Sequence, residues 1–294
     1  MKIGINQFCF PAYYDTKDAL TTAKRLGFDS FEVCLTAGPR KRAVGYVTDA
    51  LDIGNYFNRA LNLGSTAKDV KRLKETADDI GIAITGVGGI VSFSIYPLTS
   101  TEAQTVEKGM DAVRRMIDAA RIIGCNNILV IPGMLTEDMR YEDAYAIAGE
   151  RIATLADYAP EITLGIENVW NNFLYSPLEL NRFVDDIGKP NVGIYFDIAN
   201  ARRFGYPQQW IHTMGQRIRR LHCKDYRMTV DNINGFTNIL DGDVNYPAVM
   251  LALKDIGYDG ELVVELIPPS NYLVENTLKY ARDTLETLIK TINI

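Results

Sequence analysis

The chain is poor in the residues that several common chemistries require. It has two histidines, His212 and His222, in 294 residues, so a site that gathers several imidazoles around a cluster of zinc ions is hard to assemble. Its four cysteines, Cys9, Cys34, Cys125 and Cys223, contain no CxxC pair, and each sits in or beside an apolar run. Reduced packing residues are expected, and a disulfide framework is not. No stretch approaches the ~18 uninterrupted apolar residues of a membrane span. Met1-Lys2-Ile3-Gly4 runs straight into a strand pattern without the apolar core and small-residue cleavage site of a secretory leader, so a cytoplasmic location is expected. Long Lys/Arg runs are missing too, and 31 basic against 37 acidic residues leave a formal charge of −6. Neutralising phosphates needs a basic face, so the composition argues against nucleic acid and for a small-molecule partner.

What is present is a rhythm. Short β-branched or aromatic runs at 2–9, 28–34, 82–88, 126–132, 162–168, 192–197, 218–224 and 261–266 alternate with longer amphipathic segments at 16–26, 67–80, 101–124, 141–158, 177–187, 207–216, 246–256 and 271–291. Val106, Met110, Val113, Ile117 and Ala120 illustrate the three- and four-residue spacing of the second set. Gly27, Gly81, Gly124 and Gly257 each close a helical segment just before the next strand, where a left-handed cap belongs. Eight βα units predict an α/β fold, a single (β/α)8 TIM barrel spanning 1–294. An open doubly wound sheet would show a glycine fingerprint after its first strand, and Asn6-Gln7-Phe8-Cys9-Phe10 has none. Two connections are long, 35–66 and 225–244. In a barrel both follow strand C-termini and so lie over the catalytic mouth. The first, rich in Gly and Tyr, reads as either a lid or a surface excursion, and its Arg40-Lys41-Arg42 reads as a solvated cluster.

Four ionisable residues fall at the C-termini of the last four predicted strands: Glu167, Asp197, His222 and Glu265. A single carboxylate at a strand end is usually a helix cap or a salt-bridge partner. Four at the same relative position, each after an apolar run, would suffer heavy desolvation unless a cation compensates. Three carboxylates and one imidazole suit a divalent metal ion, Mn²⁺ or Mg²⁺ first, with Co²⁺ or Zn²⁺ as alternates.

In their settings GIEN, YFDIAN, HCKD and VVEL, these residues resemble the metal site of the xylose-isomerase-like barrels, the sugar-phosphate isomerase/epimerase superfamily. The resemblance runs over nearly the whole chain and is strongest from 164 to 266. It is similar to ketose 3-epimerases and to pentulose- or hexulose-phosphate epimerases. It departs from some free-ketose 3-epimerases, which carry a histidine where this chain has Asn200 and a glutamate where it has Phe173; Asp-Ile-Ala-Asn resembles the phosphopentulose branch instead.

The resemblance implies an isomerase acting on a sugar or sugar phosphate, and a homodimer or tetramer. Inverting a stereocentre beside a ketone requires a proton to leave one face and return to the other, so two bases are the direct solution. Glu167 and Glu265 are the candidates for a 3-epimerisation through a metal-stabilised cis-enediolate, with Asp197 and His222 as further metal ligands. Candidate substrate-binding residues are Lys224, Arg227, Asn168, Asn200, Trp170 and Phe8, with Phe10 as a further wall. Lys224 also reads as a salt-bridge partner of Asp225, and His212 as structural or exposed. Two other readings share these residues: a metal-dependent dehydratase acting on a keto-inositol or related polyol, and a non-catalytic sugar-binding barrel.

Overall fold

A computed structural model describes residues 1–11, 13–38 and 61–292. Among them, eight parallel strands close into a ring: β1 (Lys2–Asn6), β2 (Ser30–Thr36), β4 (Ala83–Gly89), β5 (Asn127–Val130), β6 (Thr163–Glu167), β7 (Val192–Asp197), β8 (Ile218–Cys223) and β11 (Glu261–Val264). The hydrogen-bonded order β1-β11-β8-β7-β6-β5-β4-β2 returns to its start through pairing of β1 with β2. Three two-residue strands lie outside the ring. β3 (Leu61–Asn62) pairs with the end of β2, while β9 (Asp225–Tyr226) and β10 (Phe236–Thr237) make an antiparallel hairpin. The predicted barrel is the observed one.

Every predicted helical segment is present, and a short extra helix, Ile198–Arg202, follows β7. Gly27, Gly81, Gly124 and Gly257 all adopt positive φ, between 67° and 87°, as left-handed terminators should. The apolar faces meet the outside of the ring in one continuous core.

Five strands, β1, β5, β6, β8 and β11, end before the predicted runs do, whereas β2 and β4 run slightly past theirs and β7 ends where expected. β1 stops at Asn6 because the Asn6 side chain accepts a hydrogen bond from the Phe8 amide at 2.7 Å, turning residues 7–9 into a single 3-10 turn. That turn carries Phe8 into the mouth. β11 stops at Val264, so Glu265 sits one residue past the strand, its amide donating to the Cys223 carbonyl at 3.1 Å.

The long connection 225–244 is organised by one buried carboxylate. Asp225 accepts from the amides of Tyr226 (2.7 Å), Leu240 (3.1 Å) and Val244 (2.9 Å), pinning the β9–β10 hairpin over the barrel. Of the connection 35–66, residues 39–60, including Arg40-Lys41-Arg42, lie outside the described residues. No described helix is long and apolar enough to cross a membrane.

Gly109 shows how closely the outer layer fits. It lies inside the helix Ala103–Ile123, where propensity alone favours Ala by about 1 kcal/mol. A Cβ there would fall 2.4 Å from the Tyr96 carbonyl oxygen, a contact that cannot be relieved by turning a side chain. Gly109→Ala is therefore expected to lower stability by about 1 to 3 kcal/mol in denaturant unfolding; a stabilised variant would show that the helix can slide.

Candidate metal centre

The registers bring the four strand-end residues together. Asp197 on β7 is the direct partner of His222 on β8, and His222 is in turn paired with Val263 of β11, two residues before Glu265. Glu167 ends β6. Side chains two apart on a strand share a face, so all four point inward at the mouth. Each contributes one oxygen or ring nitrogen to a group whose members all lie within 4.8 Å of one another, and all four residues are buried.

Asp197 does two jobs. Its Oδ1 accepts from the Asn200 amide at 2.7 Å and caps the helix Ile198–Arg202, while Oδ2 faces the cluster. The capping role that any isolated strand-end carboxylate suggests is thus real and occupies one oxygen only. Asn168 locks the position of this residue by a double contact, its Nδ2 donating to the Asp197 carbonyl (2.9 Å) and its Oδ1 accepting from the Asp197 amide (2.8 Å). Asn200 completes the frame, donating from Nδ2 to the Asn168 carbonyl at 2.9 Å.

Lys224 belongs to the cluster rather than to Asp225. Its ammonium donates to Asp197 Oδ2 and, at 2.7 Å, to Glu265 Oε2. Asp225 is occupied instead by the backbone amides described above. In the deprotonated form that metal ligation requires, with His222 neutral, three carboxylates against one ammonium leave two uncompensated negative charges in a buried volume. A divalent cation would cancel that excess.

The donors fit such an ion. His222 Nε2 is hydrogen-bonded to Glu32 Oε1 at 2.9 Å, whereas Nδ1 is buried with no hydrogen-bond partner. Nδ1 lies 3.3 Å from Glu265 Oε2 and 3.4 Å from Glu167 Oε1. A buried, unpartnered ring nitrogen among carboxylate oxygens suits ligation of a metal ion.

Proton affinities carry the same stress. Burial first, with Glu265 and Asp197 as like charges, pushes the Glu167 carboxyl up to about 7 against the opposing pull of His222. Burial likewise raises Asp197, against Lys224 and His222. Burial would raise Glu265 too, but His222 and Lys224 overcome it and leave it lowered. For His222, burial disfavours the cation, yet Glu265 and Glu32 outweigh it and hold the imidazole well above its ordinary value.

Above the four lies a cleft of about 790 Å³, open solvent at its mouth included. Glu167, Glu265, Lys224 and Asn200 form its polar floor, while Phe8, Trp170 and other apolar side chains form its walls. Trp170 stacks on Phe236 of the hairpin at 4.9 Å between centroids and donates from Nε1 to the Asn200 carbonyl at 3.2 Å, tying wall to floor. Arg227 lies elsewhere: it is exposed and donates to the Asp241 carbonyl at 2.8 Å. Phe10 packs in the core against Phe31 and Tyr14, Asn168 spends its side chain on backbone, and Phe173 is buried in the core. His212 is exposed on its helix, 3.8 Å from Asp255. The residue that sequence reading passed over is Glu32, whose burial within Ser30–Thr36 and contact with His222 only the structure shows.

The family model of the xylose isomerase-like TIM barrel matches residues 20–291. An inosose isomerase of Bacillus velezensis is 26% identical over 192 residues, which are 60% of this chain and 66% of its own length. Among solved structures, a D-tagatose 3-epimerase-like protein superposes with a TM-score of 0.77 at 21% identity, covering 100% of this chain and 98% of that one. An L-ribulose 3-epimerase superposes with a TM-score of 0.76 at 17% identity, covering 99% and 95%. At these identities the two structures establish the fold.

Because His222 and Glu167 both hold protons more tightly than usual, a metal ion must displace protons to bind. Metal affinity is expected to rise from about pH 6 to about pH 8, with proton release in weakly buffered titrations. The sign for stability follows. Both groups have raised folded-state values, so in the metal-free protein the contribution from Glu167 is complete below 4.5 and is lost as pH climbs through about 7. The contribution from His222 is complete below 6.5 and is lost above its raised folded value. The rise in melting temperature on adding metal should therefore grow with pH; a pH-independent rise without proton release would contradict this account.

Proposed function

Since the chain belongs to the xylose isomerase-like TIM barrel family, we propose that it is a divalent-metal-dependent carbohydrate isomerase. Its reaction on this reading is 3-epimerisation of a neutral polyhydroxy ketone, an open-chain ketose or a cyclic inosose. One observation carries the proposal: four metal-competent donors lie within 4.8 Å of one another, and two of them, Glu167 and Glu265, line an apolar cleft.

Glu167, Asp197, His222 and Glu265 are the residues that would hold the ion. When bound, it supplies Lewis-acid polarisation of the carbonyl and compensation for the negative charge that deprotonation creates. Glu167 and Glu265 stand on elements separated around the ring by β7 and β8, so they approach the cleft from different sides. One removes the proton next to the carbonyl and the other returns a proton to the opposite face. An aldose–ketose shift needs only one such base, and a second glutamate in the cleft supports inversion.

Lys224, at the cleft floor between Asp197 and Glu265, is placed to donate to a substrate oxygen. Asn200 offers a further polar edge, and Phe8, Trp170 and Phe236 give C–H faces of a sugar an apolar wall while excluding water. Neutrality of the substrate is supported by the lining. Among the described residues of the cleft the cation is Lys224, already shared by two carboxylates, and Arg227 is turned elsewhere. The names of the inosose isomerase and of the two 3-epimerase structures agree with a proton shift beside a ketone on a neutral polyol.

Glu167→Gln and Glu265→Gln should each lower turnover by about 10²- to 10⁴-fold. Deuterium from solvent should enter the product at the inverted carbon, with otherwise unchanged mass. Near-normal turnover in either variant removes that glutamate from proton transfer, and loss of water from the product would convert the reading to a dehydratase. A substrate screen should find free ketoses or inososes turned over and their phosphates poor; preference for phosphates would overturn the neutral-substrate assignment.

A further inference from the structure

β2 is buried along its whole length, yet its third residue is a glutamate. Glu32 is 1% exposed, and a carboxylate at that depth persists only if its oxygens are satisfied. They are. Oε1 accepts from Asn6 Nδ2 at 2.6 Å and lies 2.9 Å from His222 Nε2; Oε2 accepts from the Tyr195 hydroxyl at 2.5 Å. The Arg220 guanidinium lies below, its Nε 3.8 Å from Oε2. Arg220 is itself anchored by the Thr85 carbonyl and hydroxyl, both at 2.7 Å, and by Glu261.

Room for this layer comes from glycine. Gly86 of β4 is the direct register partner of Glu32, and a Cβ on it would lie 3.0 Å from Glu32 Oε2 and 3.3 Å from the Arg220 guanidinium carbon. A Cβ on Gly88 would lie 3.4 Å from Oε1. The barrel interior is therefore shaped around a charged pair directly beneath the metal donors.

We propose that Glu32 is a positioning residue of the metal centre: it accepts the Nε2 proton of His222, and so fixes Nδ1 as the nitrogen that binds the ion. This rests on the metal-centre reading above. A carboxylate has no proton to give, so the ring nitrogen facing it must be the donor, and in a neutral imidazole the other nitrogen is then a bare lone pair. That other nitrogen is the unpartnered Nδ1 between Glu265 and Glu167. The same contact fixes the ring plane and strengthens the imidazole as a ligand.

The chain's scarcity of histidine makes the test direct. Protein labelled with ¹⁵N-histidine has two imidazoles, of His212 and His222, and the first is exposed. Chelator competition with Zn²⁺ first establishes stoichiometric binding; its failure would overturn the metal centre itself and this inference with it. With Zn²⁺ bound, long-range ¹H–¹⁵N spectra of the unmodified chain should show the His222 proton on Nε2 and the metal-induced shift on Nδ1. The reverse assignment overturns the proposal while leaving the metal centre standing. Glu32→Gln should weaken Zn²⁺ binding by about 10- to 100-fold, and an affinity within about twofold of the parent would also overturn it. Where Glu32→Gln does not fold, the spectra of the unmodified chain decide.

Discussion

Three carboxylates crowded at one end of a closed ring are the constraint around which the rest of the molecule is arranged. Glu167, Asp197 and Glu265 are buried within reach of one another, and Coulomb repulsion at such distances is severe in a low-dielectric interior. The chain relieves part of it with Lys224, and the crowding raises the proton affinity of Glu167 and His222. The remainder is a negative excess that a divalent cation could balance. A metal ion bound here would be the electrostatic complement of a deficit built into the fold.

Holding that deficit in place takes two layers of the barrel interior. The upper layer presents the donors. The lower one, Glu32 with Arg220, Thr85 and Tyr195, is nearly neutral within itself and supports the His222 ring from beneath. Backbone contacts do similar work at the rim, where Asn168 fixes the chain on both sides of Asp197 and Asn200 closes the frame. The donor oxygens are consequently held by covalent geometry and hydrogen bonds rather than by their own attraction for an ion, the condition under which a site is preorganised.

Apolar walls stand over these charges. Phe8, brought over the mouth by a turn that Asn6 initiates, and Trp170, stacked on the hairpin residue Phe236, enclose a polar floor. On the proposed reading, a substrate seated between such walls would displace water that screens the floor charges, and a proton moved between its carbon and a glutamate would pass where electrostatic stabilisation is strong. The loop that supplies Ile233 and Phe236 is in turn fastened by Asp225, whose side chain is fully engaged with backbone amides.

Patterns that depend on neighbours along the chain were legible before any coordinates. The eight strand runs, the amphipathic helices and the left-handed glycine caps all follow from periodicity and local dihedral preference, and the four strand-end ligand candidates follow from the strand positions. Facts that depend on neighbours across the ring were not. Lys224 adjoins Asp225 in sequence but pairs with Asp197 and Glu265, because the strand geometry turns consecutive side chains to opposite faces. Arg227 lies three residues past Lys224 yet donates to the Asp241 carbonyl, and β1 ends early because a single asparagine side chain captures an amide two residues on. Glu32 was hidden for the same reason: a lone acid in an apolar strand has no meaning until closure of the barrel sets it against a histidine 190 residues away. Local preference thus determined the elements and their order, while closure of the sheet decided which charges would face one another, since only three-dimensional proximity sets the energy of a buried charge.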